Sequence, residues 1–198
     1  MTTTISGTAG VTFPAGGLGN PAGAVVGTTD TQTLTNKTIQ GGAITSGTAV
    51  ASTSGTSIDF TSIPSWVKRI TVMFNEVSTS GTSNILIQIG SGSITSTGYI
   101  STSMRLATGN FVTTNSSTAG YVVGVNDATF ISSGHMMLTL ANSATNLWIE
   151  SHSLKINASQ GVSGGGSGSL AGVLDRVRIT TANGTDTFDA GSINILYE

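Results

Sequence analysis

An alternating apolar pattern runs through residues 68–75, which read Lys68-Arg69-Ile70-Thr71-Val72-Met73-Phe74-Asn75. Every second residue of a β-strand points to the same face of its sheet, so Ile70, Val72 and Phe74 share one face. A register shift of one residue would expose all three, which strongly specifies the inward face. We therefore predict a strand here that buries these three side chains in the core.

The same period of two recurs along the chain from about residue 48 onward. It is clearest in residues 84–90, where isoleucine stands at positions 85, 87 and 89. Weaker examples occupy residues 99–106, 120–125, 136–140, 146–157, 176–179 and 193–197. No window of about a dozen residues carries the apolar repeat of an amphipathic helix. Glycine-containing turns separate the segments, and Asn183-Gly184 suits a type I′ hairpin. The pattern predicts an all-β fold, an antiparallel β-sandwich of the jelly-roll kind.

Residues 1–47 differ from the remainder in composition. Pro14 and Pro21, two of the three prolines, stand here among several glycines, and the apolar residues are too few to build a core. We predict that residues 1–47 form an extended arm for attachment or oligomerisation, and that residues 48–198 form the sandwich.

The composition excludes several classes of protein. Thr (33), Ser (27) and Gly (27) fill 87 of 198 positions, whereas only 7 basic and 9 acidic residues give a net charge of −2. So few basic residues cannot form the phosphate-binding stripe of a nucleic-acid binder. The absence of cysteine excludes disulfides and thiolate sites, and the apolar runs are too short to span a membrane. Such a chain suits a particle component or an adhesin better than a metabolic enzyme.

Three segments resemble proteins of bacteriophage virions. Residues 31–39, Thr-Gln-Thr-Leu-Thr-Asn-Lys-Thr-Ile, resemble a segment recurrent in tail-fibre and related virion proteins. Residues 63–74 resemble the start of a β domain of phage tail proteins, and residues 174–198, which end in Gly-Ser-Ile-Asn-Ile-Leu-Tyr-Glu, resemble its end. The resemblance implies a virion location, a trimeric homo-oligomer and an arm bound to other virion proteins. It also implies a host surface glycan or protein as a target, and it brings no catalytic motif and no cofactor.

Three functions fit this resemblance to different degrees. The first is a tail fibre or tail tip that adheres to the host surface through a trimeric β-sandwich. The second is a capsid decoration or head-fibre protein without a receptor role. The third, an enzyme that degrades polysaccharide, is disfavoured because no spacing among the nine acidic residues singles out a pair of carboxylates.

The glycine-rich segment from Gly161 to Ser169 is the candidate receptor-binding site. It lacks the Lys-Ser/Thr pair and the following helix of a phosphate-binding loop. We interpret it as a flexible loop at one end of the sandwich, where loops on a rigid scaffold usually carry binding. The candidate residues are Gly161, Ser163, Gly164, Gly165, Gly166, Ser167, Gly168 and Ser169.

Four other residues invite a functional interpretation. His135 and His152 are the only histidines, so one chain cannot form a three-histidine zinc site, and we predict no metal site. Three copies of one histidine meeting on a symmetry axis remain an alternative. Glu150 and His152 share a strand face and could couple as acid and base, but we expect a structural hydrogen bond. Trp66 could stack on a sugar, but we expect it to anchor its strand in the core.

Overall fold

The computed structural model describes residues 44–109 and 111–198. The predicted arm lies outside this range except for residues 44–47, and the chain divides between Gly42 and Ala43. Thr45 and Ser46 pair with the last strand of the chain. The sheet therefore begins within the residues that the sequence assigns to the arm.

Every regular element of the described residues is a β-strand, and every strand pair is antiparallel, which confirms the predicted all-β fold. The strands in chain order are β1 (Thr45–Ser46), β2 (Val50–Ala51), β3 (Ser57–Thr61), β4 (Arg69–Thr79), β5 (Ile85–Ser91), β6 (Ser93–Ile94), β7 (Ile100–Ala107), β8 (Phe111–Ser117), β9 (Tyr121–Val123), β10 (Ser132–Asn142), β11 (Leu147–Lys155), β12 (Gln160–Ser169), β13 (Arg176–Thr181) and β14 (Phe188–Tyr197).

Two sheets of unequal size form the sandwich. Among the described residues, the large sheet has the order β1-β14-β4-β10-β11-β12-β7-β8, with β2 also paired to β14. The small sheet has the order β3-β13-β5-β6, with β9 also paired to β5. The turn at Asn183-Gly184 links β13 of the small sheet to β14 of the large one. The predicted hairpin at this turn is therefore wrong, because the chain crosses between sheets there.

The core lies between the two sheets. It contains the apolar residues that the alternating sequence pattern predicted to be buried. Ile70, Val72 and Phe74 of β4 are at most 4% exposed, and the alternating isoleucines of β5 are at most 1% exposed. Val177 and Ile179 of β13 are fully buried beside them. The predicted register of both strands is confirmed.

A bulge interrupts the regular alternation of β4. Asn75 and Glu76 together oppose Ser133 of β10, and both are exposed, while Val77 returns to the core. Glu76 has a left-handed backbone with φ of 54°, and neighbouring Gly191 of β14 has φ of 87°. An added Cβ at Gly191 would lie 2.3 Å from the Glu76 carbonyl oxygen, so glycine is required there. The bulge places a carboxylate on the outer face that unbroken alternation would turn inward.

Candidate functional site

The segment proposed as a receptor-binding loop is strand β12, which lies inside the large sheet. It pairs with β11 on one side and with β7 on the other. The loop interpretation is therefore wrong. Glycine here provides space for side chains of the neighbouring strands, rather than the freedom of a loop.

The inward glycines of β12 stand opposite large residues of β11. Gly164 pairs with His152, Gly166 with Glu150, and Gly168 with Trp148. A Cβ at Gly164 would lie 2.4 Å from Cε1 of His152, and one at Gly168 would lie 2.9 Å from the Tyr99 ring. Both distances are too short for a methyl group, so the buried rings require these glycines. Glycine recurs at every second position of this inward face, but positions 161 and 165 of the outward face are glycine as well, so the repeat has a meaning only once β11 and β12 are paired.

The outward residues of β12 form part of a flat uncharged surface. They are Gly161, Ser163, Gly165, Ser167 and Ser169, and their neighbours on β7 and β8 carry no charge either. We call this surface the neutral face. Its outward positions are 161, 163, 165, 167 and 169 on β12, 100, 102, 104 and 106 on β7, and 112, 114 and 116 on β8.

The neutral face combines hydroxyl groups with exposed apolar side chains. Ile100 is 75% exposed, and Met104, Leu106 and Val112 are 40–52% exposed. A shallow depression of about 460 Å³ lies beside Met104, lined by residues that include Thr102, Thr114 and Ser163. The apolar residues gather at the β7–β8 end, and patches of this kind commonly mark interaction surfaces.

A buried chain of hydrogen bonds lies on the inner side of the same strands. Nδ1 of His152 is 3.1 Å from Oε2 of Glu150, and Nε2 of His152 is 3.1 Å from Oγ of Ser103. The side chains of Glu150 and His152 have no solvent exposure. The expected structural hydrogen bond between them is confirmed. Sequence reasoning missed Ser103, because its contact with His152 depends on strand β12 standing between β11 and β7.

The three side chains are connected in the order of a Ser-His-acid triad. The Ser103 side chain, however, also accepts a backbone hydrogen bond at the end of β9 in the small sheet. Its Oγ accepts the N–H of Gly124 at 3.2 Å, and Oγ of Ser101 accepts the N–H of Val122 at 3.0 Å. Both hydroxyls therefore cap the free edge of β9, which pairs with β5 on its other side. At 2% exposure, Ser103 faces the packed interior, so this cluster joins the two sheets.

Two tyrosines complete the interior around this cluster. Tyr99 accepts the N–H of Ile89 at 2.8 Å and donates to the carbonyl of Thr95 at 3.0 Å. Burial raises the pKa of the Tyr99 phenol to about 12. The Tyr121 hydroxyl donates to the carbonyl of Trp148, and burial, with Tyr99 and Glu150 nearby, raises the pKa of Tyr121 also.

The remaining candidate residues are dispersed. His135 is exposed on β10, whereas His152 is buried on β11. Trp66 is 50% exposed and packs against the ring of Tyr197, with ring centroids 5.8 Å apart. The prediction that Trp66 anchors its strand in the core is therefore wrong, because Ile63 and Val67 on either side of it are the buried residues.

The described part of the chain holds no candidate metal site and no candidate membrane-spanning helix. Among residues 44–109 and 111–198, no three acidic or histidine side chains converge as metal ligands would. No helix of these residues is long and apolar enough to cross a membrane.

The comparisons with known proteins find no relative. No protein-family model matches the chain, and no curated protein or solved structure is significantly similar to it.

Proposed function

We propose that the protein is a structural protein of a bacteriophage virion, a tail fibre or tail tip that holds the particle to the host surface. It acts by adhesion and turns over no substrate. The resemblance of residues 31–39, 63–74 and 174–198 to phage virion proteins supports this assignment from the sequence.

The neutral face is the observation that carries the proposal. Serine and threonine hydroxyls both donate and accept hydrogen bonds, so a surface rich in them complements glycan hydroxyls and exposed backbone groups. The exposed side chains of Ile100, Met104 and Leu106 add apolar contact area next to these hydroxyls. A rigid sheet holds these groups in place, which reduces the entropic cost of binding.

Adhesion by this surface requires several copies of the chain. A contact made of neutral hydrogen bonds and small apolar groups is weak. Each new hydrogen bond replaces one that the same groups made with water, so the net gain in free energy is small. Linked copies raise the effective concentration of the second and third contacts, and avidity then exceeds the affinity of a single site. We expect a trimer, attached to other virion proteins through residues 1–47.

Three experiments test the assignment. Immunogold labelling of intact particles should place the protein on the tail, and purified protein should compete with particles for adsorption to host cells. Light scattering should give about three times the chain mass of 19.9 kDa. A label on the capsid with no competition would instead favour the decoration protein, and the absence of label would refute a virion role.

A pair of variants separates the neutral face from the rest of the surface. Thr102→Asp places a charge at an exposed position of the neutral face, whereas Thr61→Asp makes the same change at an exposed position of β3. Burying an unpaired carboxylate against the host surface is costly, so only Thr102→Asp should reduce competition. Equal competition by both variants would show that another surface makes the contact.

A further inference from the structure

A second depression opens at the end of the large sheet, where β10 begins and β11 ends. It has a volume of about 280 Å³ and lies outside the neutral face. Its lining combines both charge signs, an amide, a hydroxyl and apolar surface. The lining residues are Glu76, Thr129, Ile131, Lys155, Asn157 and Ala158.

Glu76 reaches this depression because of the β4 bulge. Its left-handed backbone is unfavourable for a residue with a side chain, and such conformations persist only where the surroundings hold them. The N–H of Glu76 donates to Oγ of Ser133 at 3.0 Å, which fixes the bulge to β10. The bulge therefore presents the Glu76 carboxylate on the outer face.

Lys155 stands on the opposite side of the same row of residues. Ser133 pairs with Lys155 of β11 and also faces the bulge of β4. Glu76 and Lys155 are thus two strand spacings apart, about 10 Å between backbones. Neither belongs to any ion pair among the described residues. Two unpaired charges of opposite sign therefore flank a space that fits one sugar ring.

Asn157 and Ile131 supply the remaining contacts. Oδ1 of Asn157 accepts the N–H of Ser159 at 2.8 Å, and no described residue accepts the hydrogens of its Nδ2. Both of these hydrogens remain for a ligand. Ile131 is 44% exposed, which provides an apolar wall.

We propose that this depression binds one acidic sugar residue, of the uronic-acid type, within a glycan. Lys155 pairs with the sugar carboxylate, Glu76 accepts hydrogen bonds from ring hydroxyls, Asn157 donates to the sugar, and Ile131 packs against its C–H groups. A neutral sugar leaves Lys155 unpaired. The inference rests on the proposed adhesive function, because it names the ligand class that such an adhesin takes from the host surface.

The test is an NMR titration of the ¹⁵N-labelled full-length chain with methyl glucuronide and, separately, with methyl glucoside. Glucuronide should shift the amide signals of Glu76, Lys155 and Asn157, and it should bind about two- to fivefold more tightly than glucoside, as expected for an ion pair with the exposed Lys155. Lys155→Gln should remove this preference. Lys68→Gln makes the same charge change at an exposed lysine outside the depression and should preserve it. Glu76→Gln should weaken binding of the glucoside, because an amide oxygen accepts hydrogen bonds less strongly than a carboxylate.

Equal affinity for the two sugars, or shifts confined to other residues, would overturn the proposal. So would a Lys155→Gln variant that keeps the preference for glucuronide. These failures are distinguishable from failure of the proposed function, because particle labelling and adsorption do not depend on this sugar. Tail labelling without glucuronide binding would leave the adhesive role standing and assign the contact to the neutral face. Glucuronide binding by a protein that does not label particles would leave the sugar site standing alone.

Discussion

A single methyl group added at Gly164 tests the packing of the glycine-rich strand most directly. The Cβ of Gly164→Ala would lie 2.4 Å from Cε1 of His152 and 2.4 Å from the carbonyl oxygen of Thr102. The second neighbour is backbone, so the strain cannot be relieved by rotation of one side chain. Strand β12 or β7 must move, or the His152 ring must leave its bonds to Glu150 and Ser103.

The expected loss of stability follows from two opposing effects. Overpacking of a well-packed interior costs about 1–3 kcal/mol. Replacing glycine by alanine also restricts the unfolded chain, which stabilises the fold by about 0.4–1 kcal/mol. The net loss for Gly164→Ala should be about 1–2 kcal/mol, which lowers the melting temperature by about 2–8 °C for a domain of this size.

Gly165→Ala is the matched control, because it makes the same change one residue further along the same strand. Its Cβ would point outward and lie 3.4 Å from the carbonyl oxygen of Glu150, an ordinary contact distance. Gly165→Ala should therefore leave stability unchanged or raise it by up to about 1 kcal/mol. Thermal and urea unfolding followed by circular dichroism measure both variants. Equal stability of the two would refute the inward assignment of Gly164.

Three further predictions concern the core, the tyrosines and the arm. Phe74→Ala should lower the free energy of unfolding by about 3–5 kcal/mol, because the ring is 4% exposed. Urea titration measures this loss, and a value below about 1 kcal/mol would place the ring outside the core. Stability should fall as pH rises from about 10 to 12, because the folded chain retains the Tyr99 proton up to a pKa of about 12 whereas the unfolded chain loses it near 10. The loss is about 1 kcal/mol at pH 11, and an unchanged urea midpoint between pH 9 and 11 would contradict it. Deletion of residues 1–43 should leave cooperative melting intact and abolish incorporation into particles, whereas a loss of cooperative melting would show that the fold needs the arm.

The strands with strong apolar contrast could be predicted from the sequence. In β4, β5 and β13 a branched or aromatic residue stands at every second position, so the inward face is encoded locally. The burial of Ile70, Val72 and Phe74 needed no knowledge of the partner strands. The all-β class followed from the same alternation.

The glycine-rich strand could not be located in the same way. Glycine and serine differ little in hydrophobicity, so the alternation in β12 carries no apolar contrast. The reason for glycine at positions 164 and 168 is the space that His152 and Trp148 need. These residues face the glycines only once β11 and β12 are paired. The sequence therefore predicted a loop at a position where the fold has an inner strand.

The depression beside Glu76 could not be predicted from the sequence either. Residues 75 and 76 read as a simple continuation of the strand at 68–75, and nothing local marks the bulge. The bulge depends on Ser133 and Gly191, which lie on two neighbouring strands and far away in the sequence. The Glu150–His152 contact, in contrast, was predictable, because residues two apart on one strand share a face.

The serine and threonine residues of the large sheet fall into two groups that tolerate substitution differently. One group is exposed, and the other consists of Ser101 and Ser103, whose hydroxyls cap β9. Outward residues such as Ser163 and Thr102 are exposed, and exchanges there change stability within about 0.5 kcal/mol. Alanine at Ser101 or Ser103 would leave the backbone N–H of Val122 or Gly124 unpaired in the interior, at about 1–3 kcal/mol each. Homologous sequences should therefore keep a hydroxyl at positions 101 and 103 for stability, whereas stability alone sets no such requirement at positions 102 and 163.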